Sequence, residues 1–294
     1  GEAKVPRIAI RMDGNNKIEE IRGIANKQNM EPDMMPILEE KLKEFPDRDK
    51  YLKKEHDMKL LTLIDKKVNN NIELTFDELK FLYEIDSKIE GFGYERDPRI
   101  DEIKKKRKIK KDYALIFDVK EEEVALSQEE WKQNPNKFKI LDSDLYLRHL
   151  VKPNGLVLPH HISGSLFLDG LYNAERLILP KSIGDTLVLG GLSTVEGVVL
   201  PQKIGNLDLS GIISPKGLIL PRHIDGNLFL DYLSSTEGLV LPQSVGGYLD
   251  IHNLDSAESL VLPQNIGGSL NLSRLTSAEG LVLPYGFNLN KLIC

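Results

Sequence analysis

The amino-acid sequence predicts an α+β protein: a mainly helical N-terminal domain followed by a parallel β-solenoid of about seven 21-residue coils. Three observations predict it, namely a break in composition near residue 140, capping and amphipathic patterns before the break, and a Leu-rich repeat after it. Residues 1–140 carry 30 basic and 31 acidic side chains, whereas residues 141–294 carry 9 and 14. We therefore expect a charged domain, residues 1–140, that caps a solenoid domain, residues 141–294.

The N-terminal domain opens on the pattern of a β-hairpin. Residues 7–11 and 17–21 are two short alternating segments, and Asp-Gly-Asn-Asn at 13–16 has the composition of a turn between them. Helices are expected after the hairpin, near residues 33–45, 48–68, 75–90 and 98–111.

Two helix starts carry capping boxes, in which a hydroxyl and a carboxylate three residues later satisfy backbone donors. Thr75 with Glu78 is the first and Ser127 with Glu130 is the second. The residues after Thr75 also have the spacing of one buried helix face. That face comprises Phe76, Leu79, Leu82 and Tyr83.

The solenoid domain is marked by a proline that ends an L-x-L-P string. It recurs at Pro159, Pro180, Pro201, Pro221, Pro242, Pro263 and Pro284, with spacings of 21, 21, 20, 21, 21 and 21. An aliphatic residue stands three positions after each of the first six, at Ile162, Ile183, Ile204, Ile224, Val245 and Ile266. Each coil holds two L-x-L pairs, and each pair predicts a short strand. Coils stacked at about 4.8 Å would pair each strand with its copies and merge the leucines into one core.

Other repeat positions set the corners and limits of the array. Glycines follow the aliphatic residue or precede the first Leu, which predicts tight turns with positive φ. They are Gly184, Gly205, Gly246, Gly267, Gly155, Gly197, Gly217, Gly238 and Gly280. Leu141 and Leu145 match the repeat, so the array begins before its first proline, and the 20-residue coil loses its residue between Ile204 and Leu207. Residues 288–294 depart from the L-x-L pattern.

The unit Leu166-x-Leu168-x-x-Leu171 and its copies resemble bacterial leucine-rich-repeat proteins with L-x-x-L-P segments, over about half of the chain. The resemblance implies a leucine-rich-repeat horseshoe. The Asn that such repeats stack at one corner is replaced by Leu171 and its copies. Residues 91–94 (Gly-Phe-Gly-Tyr) and 97–100 (Asp-Pro-Arg-Ile) resemble segments of uncharacterised proteins from uncultured bacteria. That second resemblance implies no activity.

One outward position of the first L-x-L pair is β-branched in every coil. We call this row the aliphatic stripe: Val157, Ile178, Val199, Ile219, Val240, Val261 and Val282. Three explanations stay open, namely β-propensity alone, cover by the N-terminal domain, and an interface with a partner or a second copy.

The second L-x-L pair presents a less uniform outward column. It reads Tyr146, Phe167, Val188, Asp208, Phe229, Asp250 and Asn271. Phe167 and Phe229 are candidate binding anchors, although packing against the N-terminal domain would also explain the apolar members. A corner row holds five carboxylates and one lysine, and is expected to be solvated. It reads Glu175, Glu196, Lys216, Glu237, Glu258 and Glu279.

The densest charge lies at residues 104–111, with seven cations in eight residues. The cations are Lys104, Lys105, Lys106, Arg107, Lys108, Lys110 and Lys111. Such a run is a candidate site for nucleic-acid phosphates or another anionic surface. A solvated helix end is the simpler interpretation, because no aromatic platform for bases is interleaved with it.

No phosphate-binding loop, serine elbow, metalloprotease helix or cysteine pair is present in the sequence. His160, His161 and His223 are expected at the surface, Asp142-Ser143-Asp144 in a turn, and Cys294 lacks a nearby base. We therefore expect no catalytic residue, no cofactor and no bound metal. The absence of an apolar run of about 18 residues and of a signal-peptide pattern predicts no membrane span and favours the cytoplasm.

The sequence thus predicts a non-enzymatic scaffold that recognises a protein, or a second copy, through the side surface of its solenoid. Two alternatives remain. One is binding of nucleic acid or an anionic surface through residues 104–111. The other is a carbohydrate-active enzyme on the solenoid, which would need carboxylates or basic groups clustered on one face.

Overall fold

The computed structural model describes residues 8–12, 18–23, 34–45, 48–92 and 95–294. The chain divides into two compact units, residues 1–112 and residues 113–294. The composition break near residue 140 lies within the second unit, because that unit also takes in a helical segment before the first repeat. The domain limits of 1–140 and 141–294 stay a prediction.

The first unit begins with the expected hairpin strands. Strand β1 (Ile8–Met12) pairs antiparallel with β2 (Ile18–Gly23), and the predicted turn at 13–16 lies outside the described residues. The helices that follow are α1 (Met35–Leu42), α2 (Arg48–Asn69), α3 (Phe76–Leu82), α4 (Arg99–Lys105) and α5 (Ile109–Phe117), the last of which crosses residue 112. Ile18 packs with Leu38, Leu42 and Tyr51 in one apolar cluster.

Two predicted helices are shorter than expected. Helix α3 ends at Leu82 because Glu84 adopts a positive φ of 56° and the Ile85 amide closes back on the Lys80 carbonyl. The helix expected over 98–111 is two helices, since the amides of Lys106 and Arg107 donate three residues back in a tighter turn.

The capping predictions are confirmed with one difference. Thr75 and Glu78 exchange both bonds of a capping box. Ser127 accepts from the Glu130 amide before α6 (Gln128–Gln133), but the Glu130 carboxylate accepts from Leu126 instead of Ser127. The predicted buried face of α3 is wrong at Phe76, which is exposed while Leu79 is buried.

The second unit is a parallel β-solenoid of about seven turns, as predicted. Its strands form two columns. The first column contains β3 (Val124–Ala125), β4 (Ile140–Leu141), β6 (His161–Ile162), β10 (His223–Ile224), β12 (Ser244–Val245) and β14 (Asn265–Ile266). The second contains β5 (Leu145–Tyr146), β7 (Leu166–Phe167), β11 (Leu228–Phe229), β13 (Leu249–Asp250), β15 (Leu270–Asn271) and β16 (Leu292–Ile293). Strands β8 (Ser182–Val188) and β9 (Lys203–Asp208) run through both columns.

Pairing between coils is parallel and follows the repeat period. Leu228 pairs with Leu249, and Leu249 with Leu270. The register shifts once, between the Ile183↔Ile204 and Thr186↔Asn206 pairs, so the 20-residue coil loses its residue where the sequence predicted. The aliphatic residues and the leucines of both columns fill one continuous core. This core includes Leu141 and Leu145, which precede the first proline of the repeat.

The first L-x-L pair was predicted to form a strand, and this prediction is wrong. Within residues 113–294, the L-x-L-P residues of every coil, which we call the proline segment, belong to no strand. Pairing between coils instead uses the aliphatic residue three positions after the proline and the residue just before it, such as Ile162 and His161. Proline has no N–H to donate to a neighbouring coil, which accounts for the break in pairing at this side.

The residues before the proline segment form a β-turn with positive φ at its third position. In one coil the Leu177 amide donates to the Ala174 carbonyl and Arg176 has φ 62°. Gly197, Gly217, Gly238 and Gly280 occupy the same position with φ 76–80°, and Ser259 with φ 63°. The prediction of positive φ is wrong for Gly184, Gly205, Gly246 and Gly267, where an added Cβ would clash with a carbonyl of the preceding coil. These four glycines therefore permit close stacking of coils rather than a left-handed turn.

Residues 292–293 pair with the ladder of the second column. Although residues 288–294 lack the L-x-L pattern, β16 adds a parallel strand to β15, with Leu292 opposite Leu270 at a separation of 22 residues. A single turn of 3-10 helix, Leu289–Lys291, takes up the extra residue.

Candidate functional site

The aliphatic stripe lies on the proline segments and is exposed along its whole length. Val157 is 45% exposed, and the other six members are 73–80% exposed. The leucines on either side of each member pack against the core. Because the stripe lies outside the strands, β-propensity in a ladder does not explain why each member is β-branched.

A groove of about 590 Å³ separates two rungs of the stripe, Ile178 and Val199. Its walls are largely apolar and include Leu179, Pro180 and Pro201. Arg176 and Lys181 are the charged residues of its lining. The stripe is therefore ridged at these two rungs, with an apolar groove between them.

Two rows of exposed residues border the stripe, one on each side along the chain. Three residues before the stripe lies the predicted corner row, and its members are exposed. The amide of each member is held by a side-chain oxygen two residues earlier, as in Glu196 with Thr194. Three residues after the stripe lies a row without carboxylates. It contains His160, Lys181, Gln202, Arg222, Gln243 and Gln264.

The outward face of the second column divides into an aromatic end and an acidic end. At the aromatic end Tyr146 stacks on Phe167 with ring centroids 4.7 Å apart, and the Arg148 guanidinium lies 4.4 Å from the Phe167 centroid. The two rings and the cation thus cover one another. Phe229 lies further along this face, and its ring centroid is 5.8 Å from that of Tyr248.

Three carboxylates gather at the acidic end, where the sequence had predicted no such cluster. Asp208 and Asp250 occupy the outward position of the second L-x-L pair in their coils. In the coil of Asp231 that position holds Phe229, and Asp231 lies two residues further on. Oxygen or nitrogen atoms of Asp231, Asp250 and His252 all lie within 4.8 Å of one another. The repeat pattern did not predict the cluster, because its members occupy different repeat positions in successive coils.

Asp250 is buried and its two oxygens accept four hydrogen bonds. Tyr248 Oη and Asn271 Nδ2 donate to Oδ2 at 2.7 and 3.2 Å, and the His252 amide and ring Nδ1 contact Oδ1 at 3.0 and 2.8 Å. Burial alone would raise the pKa of Asp250, but these bonds outweigh it and hold the pKa below its usual range. The same environment raises the pKa of Tyr248 to about 12, through burial and its bond to Asp250.

Asp231 has the opposite electrostatic character. Burial and the nearby Asp250 raise the pKa of its carboxyl. Its Oδ1 is inaccessible to solvent and has no hydrogen-bond partner among the described residues. The pKa values of the two neighbouring carboxyls are thus shifted in opposite directions, that of Asp231 upward and that of Asp250 downward.

A ladder of side-chain oxygens runs beside this face. Asn206 Oδ1 accepts from the Asn227 amide at 2.8 Å, and Asn227 Oδ1 accepts from the Tyr248 amide at 2.7 Å, each one coil further on. Asp144 Oδ1 likewise accepts from the Ser165 amide at 2.7 Å. The repeat therefore does contain a polar corner ladder, at the residue before the second L-x-L pair.

The expectation of surface histidines is wrong for His161. It is 5% exposed, because the rings of Phe117 and Tyr113 lie 4.6 and 6.1 Å from its ring. Its Nδ1 contacts Ser182 Oγ at 2.7 Å, as His223 Nδ1 contacts Ser244 at 2.8 Å. Burial lowers the pKa of His161 to about 4, with a smaller contribution from Lys203. His160 and His223 are exposed.

The basic run at 104–111 lies at the end of α4, the following turn and the start of α5. Several of its cations are engaged within the first unit. Arg107 forms two bonds with buried Asp112 at 2.6 and 2.8 Å, Lys104 lies 4.9 Å from the Tyr83 ring, and Lys106 bonds to Asn69. Lys105, Lys108 and Lys111 are exposed. The run is thus less available to phosphates than its sequence indicates.

The remaining candidates are structural in character. Asp142 Oδ1 accepts from Tyr113 Oη and Ser163 Oγ, both at 2.7 Å, which places Asp142-Ser143-Asp144 in a bonded corner. Cys294 is an exposed free thiol. No helix in the described part of the chain is long and apolar enough to cross a bilayer. Searches with this chain matched no protein-family model, no curated protein and no solved structure.

Proposed function

We propose that the protein is a recognition scaffold whose solenoid binds a protein surface through the aliphatic stripe. One observation carries the proposal: seven consecutive β-branched side chains are exposed in one row. An exposed, continuous apolar surface of this length is typical of a protein interface. A leucine-rich-repeat-like role in protein recognition agrees with the resemblance of the repeat.

The groove between rungs supports this proposal. Its apolar walls offer sites for inserted side chains, and Arg176 and Lys181 add charged groups to the lining. A largely apolar surface with a few charged groups is typical of protein interfaces.

Photo-cross-linking in cells that express the chain tests the proposal. A benzophenone amino acid in place of Val240 should give discrete protein adducts under ultraviolet light. The same amino acid in place of Asn265, exposed on the strand side of the next coil, should not. Absence of any adduct from Val240, or equal adducts from both positions, would contradict the proposal.

We propose a carbohydrate-active site at Asp231 and Asp250 as the second candidate. The observation that favours it is the proximity, within 4.8 Å, of two carboxyls whose pKa values are shifted in opposite directions, upward for Asp231 and downward for Asp250. Retaining glycosidases use two carboxyl groups about 5 Å apart as general acid and nucleophile. Asp231 would donate the proton to the leaving oxygen, and Asp250 would attack the sugar carbon.

Release of reducing ends from a panel of polysaccharides tests this second candidate. Asp231→Asn and Asp250→Asn should each lower the rate by more than about 100-fold. Asp255→Asn, an exposed carboxylate in the same coil as Asp250, is the matched control and should retain the wild-type rate. A wild-type rate no higher than that of the two variants would refute it.

A further inference from the structure

We infer that the partner of the aliphatic stripe is a second copy of this chain, and that the two copies pack stripe on stripe with their solenoids parallel. The inference rests on the proposed recognition function and specifies its partner. Three features of the stripe carry it: its area, its period and the charges along its borders.

The area of the stripe approaches that of one side of a stable dimer. Burying an aliphatic side chain removes roughly 60–120 Å² from water, so seven of them provide about 600 Å² per copy. A standard interface buries about 800 Å² per partner. Leu179, which is partly exposed in the groove between Ile178 and Val199, adds to this apolar area.

The period of the stripe selects a partner with the same period. Rungs repeat at the spacing of parallel strands, about 4.8 Å. A surface with the same interval can meet every rung along seven coils. A second copy has that interval, because its own stripe carries the same seven rungs. The interface would be isologous, as in most homodimers.

The bordering charges distinguish the two possible orientations. In an antiparallel pair the two-fold axis crosses the stripe, and each corner row faces itself. Glu175 would then oppose Glu258, and Glu196 would oppose Glu237, with both pairs occurring twice. Like charges at close range are repulsive, and partial removal of water strengthens the repulsion.

In a parallel pair the two-fold axis runs along the stripe, and each corner row faces the row without carboxylates. Glu175 then lies opposite Lys181, and Glu196, Glu237 and Glu258 lie opposite glutamines. The one like-charged pair is Lys216 with Arg222, which also occurs twice. Repulsive contacts are therefore fewer in the parallel arrangement, and the two Glu175–Lys181 contacts are attractive.

Sedimentation equilibrium of the purified full chain tests the inference. The wild type should show twice the mass of the 33.2-kDa chain at about 50 μM. Val240→Glu with Val261→Glu should weaken the dimer by more than about 100-fold, because each partner would bury unpaired carboxylates. The side chains replaced are exposed, so the monomer should keep its circular dichroism spectrum and urea midpoint.

The matched control adds the same charge elsewhere. Asn265→Glu with Ser273→Glu alters two exposed residues of the strand side and should leave the dimer intact. A monomeric wild type, or a dimer that survives Val240→Glu with Val261→Glu, overturns the inference. A monomeric wild type that still gives adducts to a different protein from Val240 in cells would leave the recognition function standing without a second copy as partner.

Discussion

Each coil of the solenoid has two sides of opposite character. On the strand side, backbone and side-chain groups are bonded from coil to coil, through the two columns and ladders such as Asn206–Asn227–Tyr248. On the side of the proline segments no strand forms within residues 113–294, and the aliphatic stripe is exposed. We therefore expect substitutions on the strand side to change stability and substitutions on the stripe to change the proposed recognition.

The largest expected effect on the strand side concerns the charge state of His161. Its pKa in the folded chain is about 4, below the ordinary 6.5, so the unfolded chain binds the proton more readily. Above about pH 6.5 the ring is neutral in both states, so its pKa shift does not change the free energy of unfolding. As the pH falls toward about 4, the free energy of unfolding decreases by up to about 3 kcal/mol. Urea unfolding at about pH 7.5 and about pH 4 measures the loss.

Replacement of His161 isolates this contribution from that of the carboxylates. His161→Phe should unfold with a weaker pH dependence, because the apolar ring packs beside Phe117 and does not titrate. His223→Phe, in the same register but exposed, should keep the wild-type pH dependence. Equal pH dependence in wild type and His161→Phe would show that His161 is not buried as a neutral ring.

The polar ladder should contribute the next largest effect. Asn227→Ala removes the oxygen that accepts from the Tyr248 amide, leaving a part-buried donor unpaired. We expect a loss of about 2 kcal/mol in the free energy of unfolding, measured by urea titration. Asn265→Ala, exposed in a neighbouring coil, should change it by less than about 0.5 kcal/mol.

One coil offers a matched pair across the two sides. Val245 is fully buried on the strand side and Val240 is 73% exposed on the stripe. Val245→Thr should destabilise the chain by about 1.5 kcal/mol, because a hydroxyl is buried without a partner. Val240→Thr should alter the unfolding free energy by less than about 0.5 kcal/mol when measured on the monomer. Equal losses at both positions would contradict the division into two sides.

The smallest expected effect is at the turn that leads into the proline segment. Ser259 has a φ of 63°, where five other coils have glycine. Ser259→Gly should raise the free energy of unfolding by about 0.5 kcal/mol, because relief of left-handed strain exceeds the added freedom of the unfolded chain. Gly238→Ser is the reverse change at the same position, and a stabilising result there would refute this explanation.

The period in the sequence was sufficient to predict the solenoid, its core residues and the site of the one-residue deletion. The positions of the strands within each coil were harder to predict from the sequence. L-x-L before proline has the alternation of a strand, yet the missing proline N–H moves pairing to the two residues at Ile162 and its copies. Local patterns also missed β3, since Val124–Ala125 becomes a strand only by pairing with Ile140–Leu141.

The candidate sites show the same limit. The aliphatic stripe was predictable because its members lie at one repeat position and need only the period. The Asp231–Asp250 pair was not, because its members stand at different positions of successive coils. His161 could not be distinguished from His223 by sequence, since its burial depends on Phe117, which lies outside the repeat.

Disulfide cross-linking along the stripe tests whether two copies pack stripe on stripe. In a Cys294→Ser background, single cysteines replace Ile178, Ile219 or Val261, with Asn265→Cys as the control. Parallel packing brings each rung onto its own copy, so all three stripe variants should give covalent dimers under mild oxidation, while Asn265→Cys should remain monomeric. Dimers from Ile219→Cys alone would indicate antiparallel copies, and no faster dimer formation in any stripe variant than in the control would contradict an interface at the stripe.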